Sequence, residues 1–320
     1  MAQKKAQPET QPETHPEAHS ETHPDPTYHV ATTVPETAVK FALQPVAILL
    51  ILWYWAQTPA DPAVFTTVLV TLHIVLGILE RFMPARPGWV ISGRQQLINV
   101  GLVLILTLGV GVVGDLYDQV LREPLAELRG GLHLDIWPHD WPLLAQLFLV
   151  FFASEFIWYW VHRAEHRWQL VWRLSGHGAH HAFKRLGALN FGLNHPLEFF
   201  LLVLPAALVE LTFGVGSAAA GAAVLGVAQA SIAHANLELN TRIIGWLFTT
   251  NRYHIHHHSM VLEESNTNYG CSAIVWDRLF GTFADAATRE AGTGPTEPSL
   301  WQKFVMPVRE PADTSIAPET

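Results

Sequence analysis

The sequence predicts an all-α fold, an integral membrane helical bundle of about four to six transmembrane helices. Three observations lead there. Of 320 residues, 49% are hydrophobic and only 15% charged, with 12 tryptophans and a mean hydropathy of +0.19, which is too apolar for an ordinary soluble domain. Apolar segments of bilayer-spanning length recur along the chain. Nine histidines in the second half fall into four groups with the spacing of metal ligands, which implies a helical cap holding a histidine-rich dimetal site.

Taken in order, residues 1–36 form a Pro/Glu/Thr-rich tail with almost no large apolar side chains. They lack the surface to offset their ordering entropy and are expected to be disordered. The tail has no apolar core behind a basic start, so it does not read as a cleaved signal. Its histidines, His15, His19, His23 and His29, are expected to be solvated. Residues 37–140 hold the N-terminal transmembrane helices, with apolar runs at Val39 to Ala56, Ala63 to Leu79 and Leu97 to Val113. His73, midway along the second, is expected to be packed or hydrogen-bonded there. Residues 141–285 form the candidate catalytic unit. Its first run is Leu143 to Val161, and its second, Phe199 to Ile232, is long enough for two shorter passes. Gly214 and Gly216 mark the turn between these passes, and Gly221 among alanines suits close helix packing. Residues 286–320 read as a loosely ordered C-terminal tail.

Charges in the connections predict orientation, because Lys and Arg in short loops favour the cytoplasmic side. Arg81, Arg86 and Arg94 separate the second and third runs, whereas Asp115 to Asp140 carries six acids against Arg122 and Arg129. The fourth run then returns the chain to the cytoplasm at His162, near Arg163, Arg167, Arg173, Lys184 and Arg185, and the last hairpin brings His254 to the same side. Ligands on opposite membrane faces cannot meet, and this count puts all four groups on one face.

The groups are His162 and His166; His177, His180 and His181; His234; and His254, His257 and His258. An i, i+4 pair places two rings on one helix face, and each HxxHH triad packs three into little more than a turn. A single cysteine, Cys271, excludes a thiolate-built site and an internal disulfide framework, and no basic stripe suggests nucleic acid. Many neutral nitrogen donors favour a divalent transition metal over magnesium or calcium. Iron and zinc are the contenders, and a membrane setting tilts the choice to iron, since lipid C–H bonds yield to activated dioxygen.

The motifs HRAEH, HGAHH, HANLEL and HIHHH, followed by Asn268-Tyr269-Gly270 and by Trp276-Asp277-Arg278-Leu279-Phe280-Gly281-Thr282, resemble the fatty acid hydroxylase and sterol desaturase superfamily over about Phe151 to Thr282. The resemblance implies an integral membrane enzyme with two non-haem iron ions, dioxygen as co-substrate and a lipid substrate, a sterol or a fatty acyl chain. Carried over position by position, it implies His162, His166, His177, His180, His181, His234, His254, His257 and His258 as ligands. His256 sits at a variable place in the third motif. His195, in a segment that usually carries an Arg before His-Pro, is either a tenth ligand or a structural residue. Ser175-Gly176 looks like a small insertion before the second motif, with glycine free to make the turn that restores ligand direction. Glu155, Glu165, Glu198, Glu238 and Asp277 are candidates to orient the imidazoles through their far nitrogens.

Hydroxylation and desaturation share the same first hydrogen abstraction, and this ligand set serves either. No haem, flavin or dinucleotide fingerprint is present, so electrons are expected from a separate donor, a reductase with a ferredoxin or a b-type cytochrome. The rivals are a histidine-rich membrane metal transporter or metal-binding protein without redox catalysis, and a membrane zinc hydrolase. Transport usually places its ligands near the midplane, whereas these collect at segment ends.

Overall fold

The computed structural model describes residues 28–310 except residues 60 and 241, together with 314 and 316. The proline-rich stretch carrying His15, His19 and His23 lies outside the described residues. The described residues contain twelve α-helices, with three short 3-10 turns between them: α1 (Val34–Gln57), α2 (Ala63–Phe82), α3 (Gly93–Gly131), α4 (Leu143–Arg167), α5 (Gln169–Ser175), α6 (Gly178–His181), α7 (Glu198–Phe213), α8 (Ser217–His234), α9 (Asn251–His257), α10 (Leu262–Ser265), α11 (Val275–Phe280) and α12 (Leu300–Val305). Among the described residues the one extended pairing is an isolated bridge, Ser259 to Ala291.

Five helices, α1 to α4 and α8, are long and apolar enough to cross a membrane. The helix α1 starts inside the stretch read as tail, because Thr33 caps it reciprocally with Glu36 and Pro35 stands in its first turn. In α3 the helix runs 39 residues, about 58 Å at 1.5 Å per residue, and so continues well past the apolar run that ends at Val113. The long run from Phe199 divides as expected: α7 ends at Gly214 (φ 67°), and Gly216 (φ 77°) precedes α8. With 16 residues α7 is shorter than these five.

The buried helix α8 packs against α1, α2 and α4, with Leu147, Phe151, Leu225 and Ile232 in the shared core. Gly221 makes this approach possible. A Cβ there would lie 2.4 Å from Leu147 Cδ1 and 2.5 Å from Trp55 Cε2. Outward faces carry Leu50, Trp53, Ile74, Leu104 and Leu108, an apolar girdle of the kind that lipid covers. His73 is packed as expected, donating from Nδ1 to Leu69 O at 2.7 Å and stacking on Phe191.

At one end of the bundle, connections and short helices form a cap. Residues 286–310, read from sequence as a loose tail, pack into it: Arg86 donates to the backbone of Thr288 and Arg289, Trp172 Nε1 donates to Glu310 at 2.7 Å, and Met306 is buried. Their composition is polar, and such long-range partners leave no periodic trace in a sequence. At the other end Trp137 donates to Gln146 at 2.8 Å and packs on Phe213.

Candidate metal centre

The last turns of α4 and α8 end at the cap. His162 and His166 lie one turn apart on α4, and His234 closes α8. The αL residue Gly176 (φ 75°) ends α5 and turns the chain into α6, so the predicted insertion is the turn that aims His177, His180 and His181 inward. The short helix α9 carries His254 and His257, with His258 as its cap.

All nine predicted histidines are buried and meet in two sets. His162, His166, His177, His181 and His257 form one; His180, His234, His254 and His258 form the other, and within each set the donor atoms lie within 4.8 Å of one another. In the first, Nε2 of His177 is 3.0 Å from that of His162 and 3.1 Å from that of His166. In the second, Nε2 of His254 is 3.1 Å from those of His234 and His258. The sets adjoin, for His181 stacks on His258 with ring centroids 4.3 Å apart.

The far nitrogens decide the chemistry. His162 Nδ1–H donates to Tyr269 O at 2.6 Å, His257 to Thr267 O at 2.8 Å, His180 to Leu193 O at 3.0 Å and His234 to Ala230 O at 2.8 Å. A carbonyl only accepts, so these four rings carry their proton on Nδ1 and a lone pair on Nε2. Yet Nε2 of His257 stands 3.1 Å from that of His162, and Nε2 of His234 stands 3.3 Å from that of His180. Two lone pairs at hydrogen-bond distance repel unless a cation lies between them. Each set contains such a pair, and the donor chemistry of each therefore fits a bound metal ion.

The proposed orienting carboxylates divide. Glu198 accepts from His177 Nδ1 at 2.8 Å, and Glu165 Oε2 lies 3.7 Å from the same nitrogen. Asp277 touches no histidine; it accepts from Tyr269 N–H and Gly270 N–H, both at 2.7 Å, and from the Thr282 hydroxyl at 2.7 Å, fixing the carbonyl that His162 uses. Asn268, in the left-handed region at φ 53°, bonds Tyr253 O and both backbone groups of Ala284. The NYG and WDRLFGT motifs are thus the brace behind one ring. Glu155 accepts from Ser272 N–H and Ala273 N–H, one layer further out. Glu238 lies away from the centre, bonded to Lys40 and Ala31 N–H.

His195 belongs to neither set. Its Nε2–H donates to Phe304 O at 3.0 Å and its Nδ1 accepts from Leu197 N–H at 3.2 Å, so both nitrogens are committed to backbone. His256 points to Thr288 Oγ1 at 3.2 Å, away from both sets.

Glu80, which no local spacing singles out, ties two loops that follow the histidine groups together. Its Oε1 accepts from Ala188 N–H at 2.7 Å and Asn236 N–H at 2.8 Å, one following the second histidine group and the other following His234. Asn236 in turn exchanges both its amide groups with the backbone of Arg86, and Asn251 donates to Ala235 O and Leu237 O. The available signal was a lone acid at the end of an apolar run, costly to bury without partners.

Burial pulls the imidazoles outside the spanning helices away from the charged form. His177, His181, His254, His257 and His258 are held well below the ordinary imidazole value, and His180 at about 4. Between the ordinary 6.5 and these lowered values the unfolded chain binds protons that the folded chain does not, so stability of metal-free protein falls as pH falls through that window. His180 alone contributes ~3 kcal/mol of this loss. Thermal melts of chelator-stripped protein from about pH 8 to about pH 5 should show a falling midpoint; a flat profile contradicts the burial of neutral rings.

A cavity of about 300 Å³ opens from the centre into the bundle, lined by His177, His180 and His234 at one end and by Val110, Ala206 and Ala222 further in. Apart from Glu155, Glu198, Asn194 and a few hydroxyls and Cys271, its walls are apolar.

Comparison with known proteins agrees with this geometry. The fatty acid hydroxylase family model matches residues 147–282, which contain all nine histidines. An ornithine lipid hydroxylase of Rhizobium tropici is 28% identical over 230 residues, covering 68% of this chain and 66% of the relative. Alkylglycerol monooxygenases of Xenopus tropicalis and Danio rerio are each 25% identical, over 61% and 74% of this chain. The chain spans only 43% and 53% of the length of those two relatives. No solved structure matches the chain significantly. Residues 147–282, with their histidine motifs and the brace behind them, match the fatty acid hydroxylase family.

Proposed function

We propose that this protein is a membrane-bound di-iron oxidoreductase that uses dioxygen to hydroxylate a C–H bond on the hydrocarbon chain of a lipid. The observation that carries the reading is the adjacency of two all-imidazole sets, of five and four rings, opening onto an apolar cavity. His162, His166, His177, His181 and His257 would hold one iron and His180, His234, His254 and His258 the other. Imidazole suits ferrous ion, and neither set fills an octahedral shell. With iron bound, the centre supplies the activation of dioxygen needed to oxidise an unactivated C–H bond.

The chain's own residues do the rest. Glu198 and the carbonyls of Tyr269, Thr267, Leu193 and Ala230 hold the proton of His177, His162, His257, His180 and His234 on Nδ1, keeping Nε2 of these five rings free. The cavity walls exclude water and align the substrate. Along α8 from His234 to Ala222 the cavity deepens by about 18 Å. Its largely apolar lining over that length suits the hydrocarbon chain of a lipid. Hydroxylation balances as RH + O₂ + two electrons + two protons giving ROH + H₂O, with the electrons from a separate reductase and a ferredoxin or b-type cytochrome. The names of the relatives, a hydroxylase and two monooxygenases, favour oxygen insertion over desaturation.

The membrane arrangement proposed with this function has transmembrane helices in residues 37–140, the catalytic unit in 141–285 and the metal centre facing the cytoplasm, where Arg81, Arg86, Arg163, Arg167 and Arg173 gather.

The test is to express the chain in a lipid-rich host under heavy-isotope dioxygen and compare lipid extracts with those of a host lacking it. A lipid that gains one labelled oxygen supports hydroxylation. Loss of two hydrogens instead would mean desaturation, oxygen taken from water would mean a hydrolase, and ion flux without dioxygen consumption would mean a transporter.

A further inference from the structure

Outside the family-matched residues, α12 is fastened to the cap by its inner face. His195 donates to Phe304 O at 3.0 Å, Lys303 Nζ pairs with Glu297 at 2.8 Å and sits 3.6 Å over the Phe183 ring, and Met306 is buried. This leaves Trp301 (69% exposed), Phe304 and Val308 (77%) facing outward. The neighbouring α5 does the same with Trp168, Leu170 (69%) and Leu174. The two elements are joined, because Arg173 donates to Pro307 O and Val308 O at 3.3 Å, and Trp172 and Gln169 donate to Glu310. Six large apolar side chains therefore stand uncovered on these two joined elements of the cap.

What covers them follows from their position. Only Trp168 separates α5 from the spanning helix α4, so they lie where the chain leaves the apolar layer. Leu197 and Phe200, exposed at the start of α7, lead toward the bundle's outer flank. Glu310, the acid of this segment, is engaged by Trp172 and Gln169, while Arg167, Arg173 and Arg309 stay exposed. Tryptophan with arginine beside aliphatic side chains is the composition that settles in a headgroup layer, the rings at the apolar boundary and the guanidinium groups on lipid phosphates.

We propose that α5 and α12 together form an in-plane membrane collar, a second lipid contact that seats the cap and its metal centre against the bilayer surface. It is independent of the chemistry at the metal centre. The partner is a lipid surface, not a protein, and the experiment separates the two.

Cysteines are introduced singly in the full chain at Leu170, Leu174, Trp301 and Phe304, labelled with a nitroxide and measured in nanodiscs of phosphatidylcholine and phosphatidylglycerol. Leu104, exposed on α3, gives the lipid reference; Glu263 and Glu290, exposed on the cap, give the aqueous one. The native Cys271 lines the cavity, and the unsubstituted chain supplies the blank. All four positions are exposed, so substitution leaves the core packing in place. Collisions with oxygen should exceed those with a water-soluble nickel chelate at all four, shifting them from the Glu263 and Glu290 values toward that of Leu104. Nickel accessibility equal to the aqueous references at either helix overturns the collar, and would leave these side chains as a surface for a soluble partner.

Discussion

Replacing His180 with alanine is expected to remove one metal ion and reduce lipid oxidation on the order of 100-fold or more, the upper end of what loss of even an outer-shell partner produces. His180 belongs to the smaller set, in which four imidazoles would hold the ion and none would be spare. It also lines the cavity, so its loss disturbs the end of the site that meets the substrate. The matching change at His166 leaves four rings in its set and should cost less metal. Controls come from the two histidines that the structure sets apart: His195→Ala and His256→Ala should retain both ions, since His195 serves backbone groups and His256 faces Thr288. Metal analysis on purified protein, beside lipid mass spectrometry, checks all four. Full metal in His180→Ala together with loss in His195→Ala or His256→Ala would reverse the assignment of ligands.

That contrast also marks how far the site was legible. The nine histidines could be picked out because ligand spacing on a helix is local: i, i+4 on α4 and HxxHH on α6 and α9 follow from a few residues of chain. Their division into five and four was not legible, since it crosses the motifs. His180 and His181 are chain neighbours yet belong to different sets, because consecutive helical residues point in directions about 100° apart. His195 was ambiguous for the converse reason. Its partner, the carbonyl of Phe304, lies 109 residues away in a segment whose polar composition reads as tail.

The bundle shows the same split between local and distant causes. Apolar runs gave α1, α2, α4 and the α7–α8 hairpin, and the glycines at 214 and 216 marked the turn. The extension of α3 to Gly131 was hidden because its polar half carries acids and arginines with no continuous apolar run, though Leu121, Leu125 and Leu128 recur at helical spacing. The tie from Glu80 to Ala188 and Asn236 spans 108 and 156 residues. No window along one sequence contains such a contact, yet it sets how two ligand loops approach each other.

Asp277→Ala is expected to have the largest effect among residues that touch no metal ligand. Its carboxylate accepts from two buried backbone N–H groups and one hydroxyl; alanine leaves the two N–H groups without a partner, while the Thr282 hydroxyl keeps that of Tyr159 at 3.0 Å. Each orphaned buried donor costs roughly 1–3 kcal/mol, so the change removes several kcal/mol, a large part of a typical folding free energy. The consequence is directed. Tyr269 and Gly270 lose their anchor, Tyr269 O moves from His162 Nδ1, and the five-ring set loses the acceptor that holds one of its tautomers. Metal should therefore be lost first from that set, with the four-ring set retained. Asp277→Asn keeps the shape and one acceptor oxygen but turns a donor toward a donor on the other side, so it should fall between wild type and alanine in thermal midpoint and metal content. A side chain at Gly270 is excluded in the same turn, because a Cβ there would lie 2.4 Å from Ala273 O. A metal titration that resolves the two sites, combined with hydrogen exchange across residues 268–282, measures both effects. Wild-type metal content and exchange in Asp277→Ala would show that the NYG turn holds without its carboxylate, and would remove the link from the WDRLFGT motif to the histidine centre.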